Sequence, residues 1–108
     1  MAKTTTLAPP DPRALPLFND EEARQFVLQI GTQRARMEYD RSSDRVFLTG
    51  MVVPKDLVAL GVSAILTEKV LNWIEGNKLK LVPMCADVKA YLVRHPQWKR
   101  LLVKGLHI

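Results

Sequence analysis

The segment from Phe47 to Cys85 reads strand, turn, helix, strand, and that order restricts the fold more than any other part of the chain. Val46 to Pro54 is an apolar strand closed by proline, which cannot donate to a ladder. Lys55 to Ser63 is a turn and the opening of a helix. Val58, Val62, Ile65, Leu66, Val70, Trp73 and Ile74 then fall at helical spacing, with Thr67, Glu68, Asn72 and Glu75 largely on the other side. The helix is expected to run to about residues 72–75, with Gly76-Asn77 ending it. Lys78 to Cys85 is a second strand. Because it follows a helix, it is expected to lie parallel to the Arg45–Val53 strand. A strand feeding a helix N-terminus is also a place where phosphate can bind.

The flanking sequence fits around this unit. Residues 1–14 are rich in threonine and proline and read as a disordered tail, leaving 15–108 as a single domain. Leu15 to Phe18 is a short apolar run suited to an edge strand, and Asn19 to Glu22 a polar turn. Alternation from Phe26 to Ile30 stops at Gly31-Thr32, a hairpin turn. Across Gln33–Tyr39, Ala35, Met37 and Tyr39 share one face while Arg34, Arg36 and Glu38 share the other. This is a half-buried antiparallel strand. Asp40 to Asp44 reads as the next turn. Arg45 to Val53 is nearly all apolar after Arg45, so it is expected to be covered on both faces. Asp87 is a candidate N-cap for a second helix carrying Val88, Tyr91 and Leu92 and ending near His95, ahead of Pro96. Gln97 to Leu102 reads as one more helical turn, with Trp98 packing inward. The expected class is α/β or α+β, a mostly antiparallel sheet with one parallel strand pair and flanking helices.

Composition narrows the partners. The chain has 108 residues, 47% of them hydrophobic, which is enough for one core. No apolar run reaches the roughly 20 residues of a membrane span. The N-terminus lacks the charged-then-apolar pattern of a secretory leader. A single cysteine excludes an internal disulfide, and a cytoplasmic, reducing setting is expected. One Cys and two His far apart make a poor metal set. The formal charge of +5 attracts anions in general: a nucleic acid, or a phosphorylated cofactor. No nucleic-acid motif is present, and the few aromatics are scattered, which argues against a base-stacking platform.

Two groups stand out chemically. Around Asp56–Ser63, Gly61 permits close backbone approach and Ser63 adds a hydroxyl at a helix start, although a single glycine is no phosphate-loop signature. Cys85 ends a strand just before a helix, a location that can lower a thiol pKa; a buried inert cysteine is the alternative. Tyr91 lies six residues on and either faces the same crevice or packs in the core. Nothing in the sequence brings His95 or His107 to Cys85.

The block Val53-Pro54-Lys55-Asp56-Leu57-Val58-Ala59-Leu60-Gly61-Val62-Ser63 resembles the acetyl-CoA loop of the smallest GCN5-related N-acetyltransferase-like (GNAT) proteins, V-P-x-x-x-R-G-x-G-[IL]-A. Val82-Pro83-Met84-Cys85, Tyr91 and His95-Pro96-Gln97-Trp98 are similar to the family's later steps, and the match spans about Leu15 to Leu102. The resemblance implies an acyl-CoA N-acyltransferase-like fold and acetyl transfer from acetyl-CoA to an amine. It implies cofactor binding by Met51, Val52 and Val53 on the strand and by Val58, Ala59, Leu60, Gly61, Val62 and Ser63 in the loop. Cys85 and Tyr91 become the catalytic candidates, as nucleophile or thioester neighbour and as general acid. The departure is local: Val58 stands at the arginine position and Ala59 at the first glycine, while Gly61 keeps the second. Losing that guanidinium removes a charge-assisted hydrogen bond worth about 1.5–3 kcal/mol. Lys55 and Lys69 are the cations available to offset it in part. The alternative implied by Val58-Ala59 is a non-catalytic member of the fold that binds CoA or another anion, or a protein-interaction module.

Overall fold

The computed structural model describes residues 11–108. Its order is a 3₁₀ turn (Pro12–Ala14), strands β1 (Phe18–Asp20), β2 (Gln25–Ile30), β3 (Gln33–Ser42) and β4 (Arg45–Val52), helices α1 (Lys55–Ala59) and α2 (Val62–Gly76), strand β5 (Lys80–Pro83), helix α3 (Ala86–Arg94) and a 3₁₀ helix (Pro96–Leu101). The five strands lie side by side in sequence order. The first four pair antiparallel, and β4 pairs parallel with β5, as a helical crossover requires. This is the expected mixed sheet with one parallel pair.

Several local expectations move. The edge strand lies at Phe18–Asp20 rather than Leu15–Phe18, and the turn after it at 21–24, because Phe18 to Asp20 pair with Gln25 to Val27. β3 runs through Ser42, so the turn expected over Asp40–Asp44 shrinks to Ser43-Asp44, with Ser43 at φ 58°. β5 is confined to Lys80–Pro83 instead of Lys78–Cys85. Cys85, not Asp87, takes the N-cap position of α3, and Asp87 falls in the first turn, where its charge complements the helix dipole. Part of the expected tail is ordered: the Lys69 ammonium donates to the carbonyls of Arg13 at 2.8 Å and Leu15 at 2.6 Å, tying the 3₁₀ turn to α2. The rest of that tail, residues 1–10, lies outside the described residues.

Helix α2 ends one residue later than its glycine suggests. Asn77 is the C-cap, Lys78 adopts φ 58°, the Lys78 N–H donates to the Glu75 carbonyl and the Leu79 N–H to the Ile74 carbonyl. Those two bonds make a Schellman motif, and Ile74 and Leu79 are both buried beside it.

The sheet is covered on one face. Ala35, Met37 and Tyr39 of β3, Val46 and Leu48 of β4, and Leu81 of β5 are buried against α2 and α3 with Leu66, Val70, Leu71, Ile74, Val88 and Leu92. Phe26 stacks on Tyr39 at 4.5 Å and meets Trp73 edge-on at 5.0 Å. The alternate positions Arg34, Asp40 and Thr49 are exposed, while Arg36, Glu38, Phe47 and Val82 are half-buried. The expectation that the Arg45–Val53 strand is covered on both faces is therefore wrong. Its apolar run stays on one face by a shift of register: Glu38 pairs with Gly50 but Tyr39 with Leu48, leaving Thr49 as a β-bulge. The bulge sends both Thr49 and Gly50 outward and returns Met51 and Val53 to the helix side, where both pack on the core.

Candidate functional site

The site begins where the parallel ladder stops. β4 and β5 pair from Arg45–Lys80 to Leu48–Pro83, and the Met84 N–H donates to the Leu48 carbonyl at 2.9 Å. That is the last bond of the ladder, and Met84 already lies beyond the strand. β4 continues to Val52 with strand partners only on its β3 side. The two parallel strands part at the level of the bulge, and the β4 edge at Met51 and Val52 is left without a strand neighbour.

The connection after β4 is more helical than a loop. The N–H groups of Leu57 and Val58 donate to the Pro54 carbonyl, that of Leu60 to Leu57, and that of Gly61 to Val58. Those donors of the expected cofactor loop are thus used within the α1 turn. Val58 and Leu60 are 51% and 69% exposed, point to solvent and do not plug the groove. Ala59 is helical, so the position needs no glycine. Gly61 does: φ is +79°, with open space where a Cβ would stand, so backbone conformation rather than crowding selects glycine. From this left-handed N-cap, α2 starts without a capping side chain. The N–H groups of Val62, Ser63 and Ala64 have no partner within the helix.

Two cavities flank that helix start. One, of about 150 Å³, has Ser63, Ala64 and Thr67 of α2 on one wall and Asp87, Ala90, Tyr91 and Arg94 of α3 on the other, with Met51 at its β4 end. The second, of about 340 Å³, runs beside Gly61, Ala64, Ile65 and Glu68 to Tyr91, His95, Gln97 and Arg13. Ala64 and Tyr91 line both. Thr67 is buried and bonded to the Ser63 carbonyl, which fixes the wall rather than offering a free hydroxyl.

Tyr91 is the best placed of the catalytic candidates. Its ring lies against that of His95 at 4.2 Å. Burial raises its pKa above the ordinary 10.0 and the Glu68 carboxylate adds to the rise, while the hydrogen bond from Trp98 pulls the other way. The phenol is therefore protonated at neutral pH. Cys85 is 9% exposed, lies in the core cluster at the mouth of α3, and is not among the side chains lining either cavity. Lys69 is committed to Arg13 and Leu15 and cannot stand in for the loop arginine; Lys55 is exposed.

Sequence reasoning missed Ala64, Asp87, Ala90 and Arg94. The signal was there as spacing: Asp87, Ala90, Tyr91 and Arg94 stand at i, i+3, i+4 and i+7 on one side of α3. Among the described residues, no helix is long and apolar enough to cross a membrane, and no three His, Cys, Asp or Glu side chains group to hold a metal. Residues 25–101 match the family described as GCN5-related N-acetyl-transferase. No curated protein matches the chain. The match covers most of the sequence, and the chain belongs to the GCN5-related N-acetyltransferase family.

Proposed function

We propose that this member of the GCN5-related N-acetyltransferase family transfers an acetyl group from acetyl-CoA to an amine. The observation that carries the reading is the parting of β4 from β5, with Met51 of the freed β4 edge lining the same cavity as Ser63 and Ala64 at the uncapped start of α2. An extended amide-bearing arm fits the unpaired β4 edge at Met51–Val53, where strand groups need partners. A pyrophosphate suits the N–H groups of Val62, Ser63 and Ala64 at the positive end of α2. This moves the phosphate contacts toward the C-terminal half of the loop that the sequence pointed to, because the N–H groups of Leu57, Val58, Leu60 and Gly61 are used in the α1 turn. Tyr91, protonated and lining both cavities, is assigned as the acid that meets the leaving thiolate. Cys85 is assigned a place beside the thioester, behind the cavity wall, and a reducing compartment suits its free thiol.

Calorimetric titration with acetyl-CoA tests the reading. Binding is expected, weakened by the absence of a loop guanidinium, and Val58→Arg should tighten it by roughly tenfold or more. No heat at millimolar acetyl-CoA in either protein would remove the proposal. A second reading, a non-catalytic CoA- or anion-binding member or an interaction module, is favoured by Val58 and Ala59 standing where arginine and glycine are expected. It is preferred if acetyl-CoA binds and no amine is acetylated.

A further inference from the structure

We propose that Arg13, held against α2 by Lys69, supplies the guanidinium that the loop lacks and binds the 5′-diphosphate of acetyl-CoA. This rests on the acyltransferase reading above. Val58, where the loop is expected to carry arginine, is apolar and exposed. Lys69 does not replace that arginine directly, because its ammonium is engaged by the carbonyls of Arg13 and Leu15. That clamp fixes a different cation. The Arg13 carbonyl accepts from the Lys69 ammonium at 2.8 Å, and the Arg13 N–H donates to the Asp11 carboxylate at 3.0 Å. Both backbone polar groups of Arg13 are therefore held by side chains. Lys69 lies 56 residues further along the chain, so the tie is a tertiary one that docks the N-terminal segment on α2.

The docked segment places Arg13 at the start of that helix. Arg13 lines the cavity of about 340 Å³ together with Gly61, the N-cap of α2, with Ala64, and with Tyr91. A diphosphate on the N–H groups of Val62 to Ala64 would share that cavity with the guanidinium. Arg13 is exposed and in no ion pair among the described residues. Glu68 lines the same cavity and offsets the charge of Arg13, so recognition rests on contact rather than on long-range attraction. The forked N–H donors of a guanidinium match two phosphate oxygens at once, which an ammonium does not do. Arg94 is the competing cation. It lines the smaller cavity with Met51, on the side assigned to the extended arm of the cofactor, whereas Arg13 lies with the N-cap of α2.

Calorimetry of acetyl-CoA and of acetyl-dephospho-CoA, which keeps the diphosphate and lacks the 3′-phosphate, tests the assignment. Arg13→Gln should weaken both ligands by about tenfold or more. Lys69→Met keeps the guanidinium and cuts its tether, so it should weaken both several-fold, and adding it to Arg13→Gln should cost little more. Val58→Arg placed in the Arg13→Gln protein should recover the lost affinity. In nitrogen-15 spectra, acetyl-CoA should move the Arg13 Nε–H signal of the native protein. Arg13 is exposed, so Arg13→Gln should keep the native urea midpoint and decides the question alone if Lys69→Met does not fold. Unchanged affinity of Arg13→Gln for both ligands overturns the assignment and leaves the CoA site standing. So does a loss confined to acetyl-CoA, which would put the guanidinium on the 3′-phosphate, or a larger loss in Arg94→Gln than in Arg13→Gln. Absence of binding of either ligand to the native protein brings down the underlying reading and this one with it.

Discussion

At the residue scale, single conformational demands decide which substitutions the site tolerates. Ala59 sits in helical backbone, whereas Gly61 must adopt a left-handed conformation for α2 to start where it does. The glycine that this chain keeps is the one the backbone needs. Tyr39 and Tyr91 add a pH signature. Burial is the largest cause of the raised pKa of both, so the folded state holds each phenol proton more tightly than the unfolded chain does. Their contribution to stability is fully present below pH 10.0 and is lost as pH rises through the folded values. Urea unfolding at pH 8, 10 and 11 should show stability falling across the upper two points, and Tyr91→Phe should flatten that fall. An unchanged alkaline slope in the variant would count against a shifted Tyr91. The sequence made Tyr91 a candidate by its place after Cys85. Only packing against His95 and Trp98 could separate the buried phenol from an ordinary surface one.

At the element scale, proline and glycine were legible, but the positions where they act were not always theirs. β4 ends at Val52, two residues before Pro54, and β5 ends at Pro83, close to where the prolines suggest. Gly76-Asn77 marked the end of α2, yet the left-handed residue is Lys78, because the two Schellman bonds are anchored by burial of Leu79 against the helix. A non-glycine residue in that conformation costs about 1–2 kcal/mol, of which the greater freedom of glycine in the unfolded chain cancels part. Lys78→Gly should stabilise the protein by about 0.5–1 kcal/mol, seen as a higher urea midpoint at unchanged slope. The bulge at Thr49 was beyond reach. Alternation along Phe47–Val53 allows any register when nearly every residue is apolar, and the choice is made by which side chains the helices can bury.

At the scale of the whole molecule, one layer of helices and one sheet share a single core, and the site is where that packing ends. Leu66 is fully buried at the centre of α2. Leu66→Ala should cost about 2–5 kcal/mol, a large share of the 5–15 kcal/mol typical of a domain. Thermal unfolding should show a fall of about 10 °C or more; a shift of a degree or two would mean that the core is looser than its burial implies. Strand and helix order, the parallel pair, the family resemblance and the gap at Val58-Ala59 all followed from the sequence, because periodicity and turn chemistry are local properties of the chain. The same sequence left open whether the loop donors were free, where Cys85 lies relative to the groove, and that Glu38 shares a bulge with Gly50. Those facts depend on hydrogen-bond competition, burial and cross-strand register between residues distant in the chain. The segment from Phe47 to Cys85 specified that a helix leaves the sheet beside a parallel strand. The tertiary structure decided which donors stay free, since the α1 turn uses those of Leu57, Val58, Leu60 and Gly61 and leaves those of Val62 to Ala64.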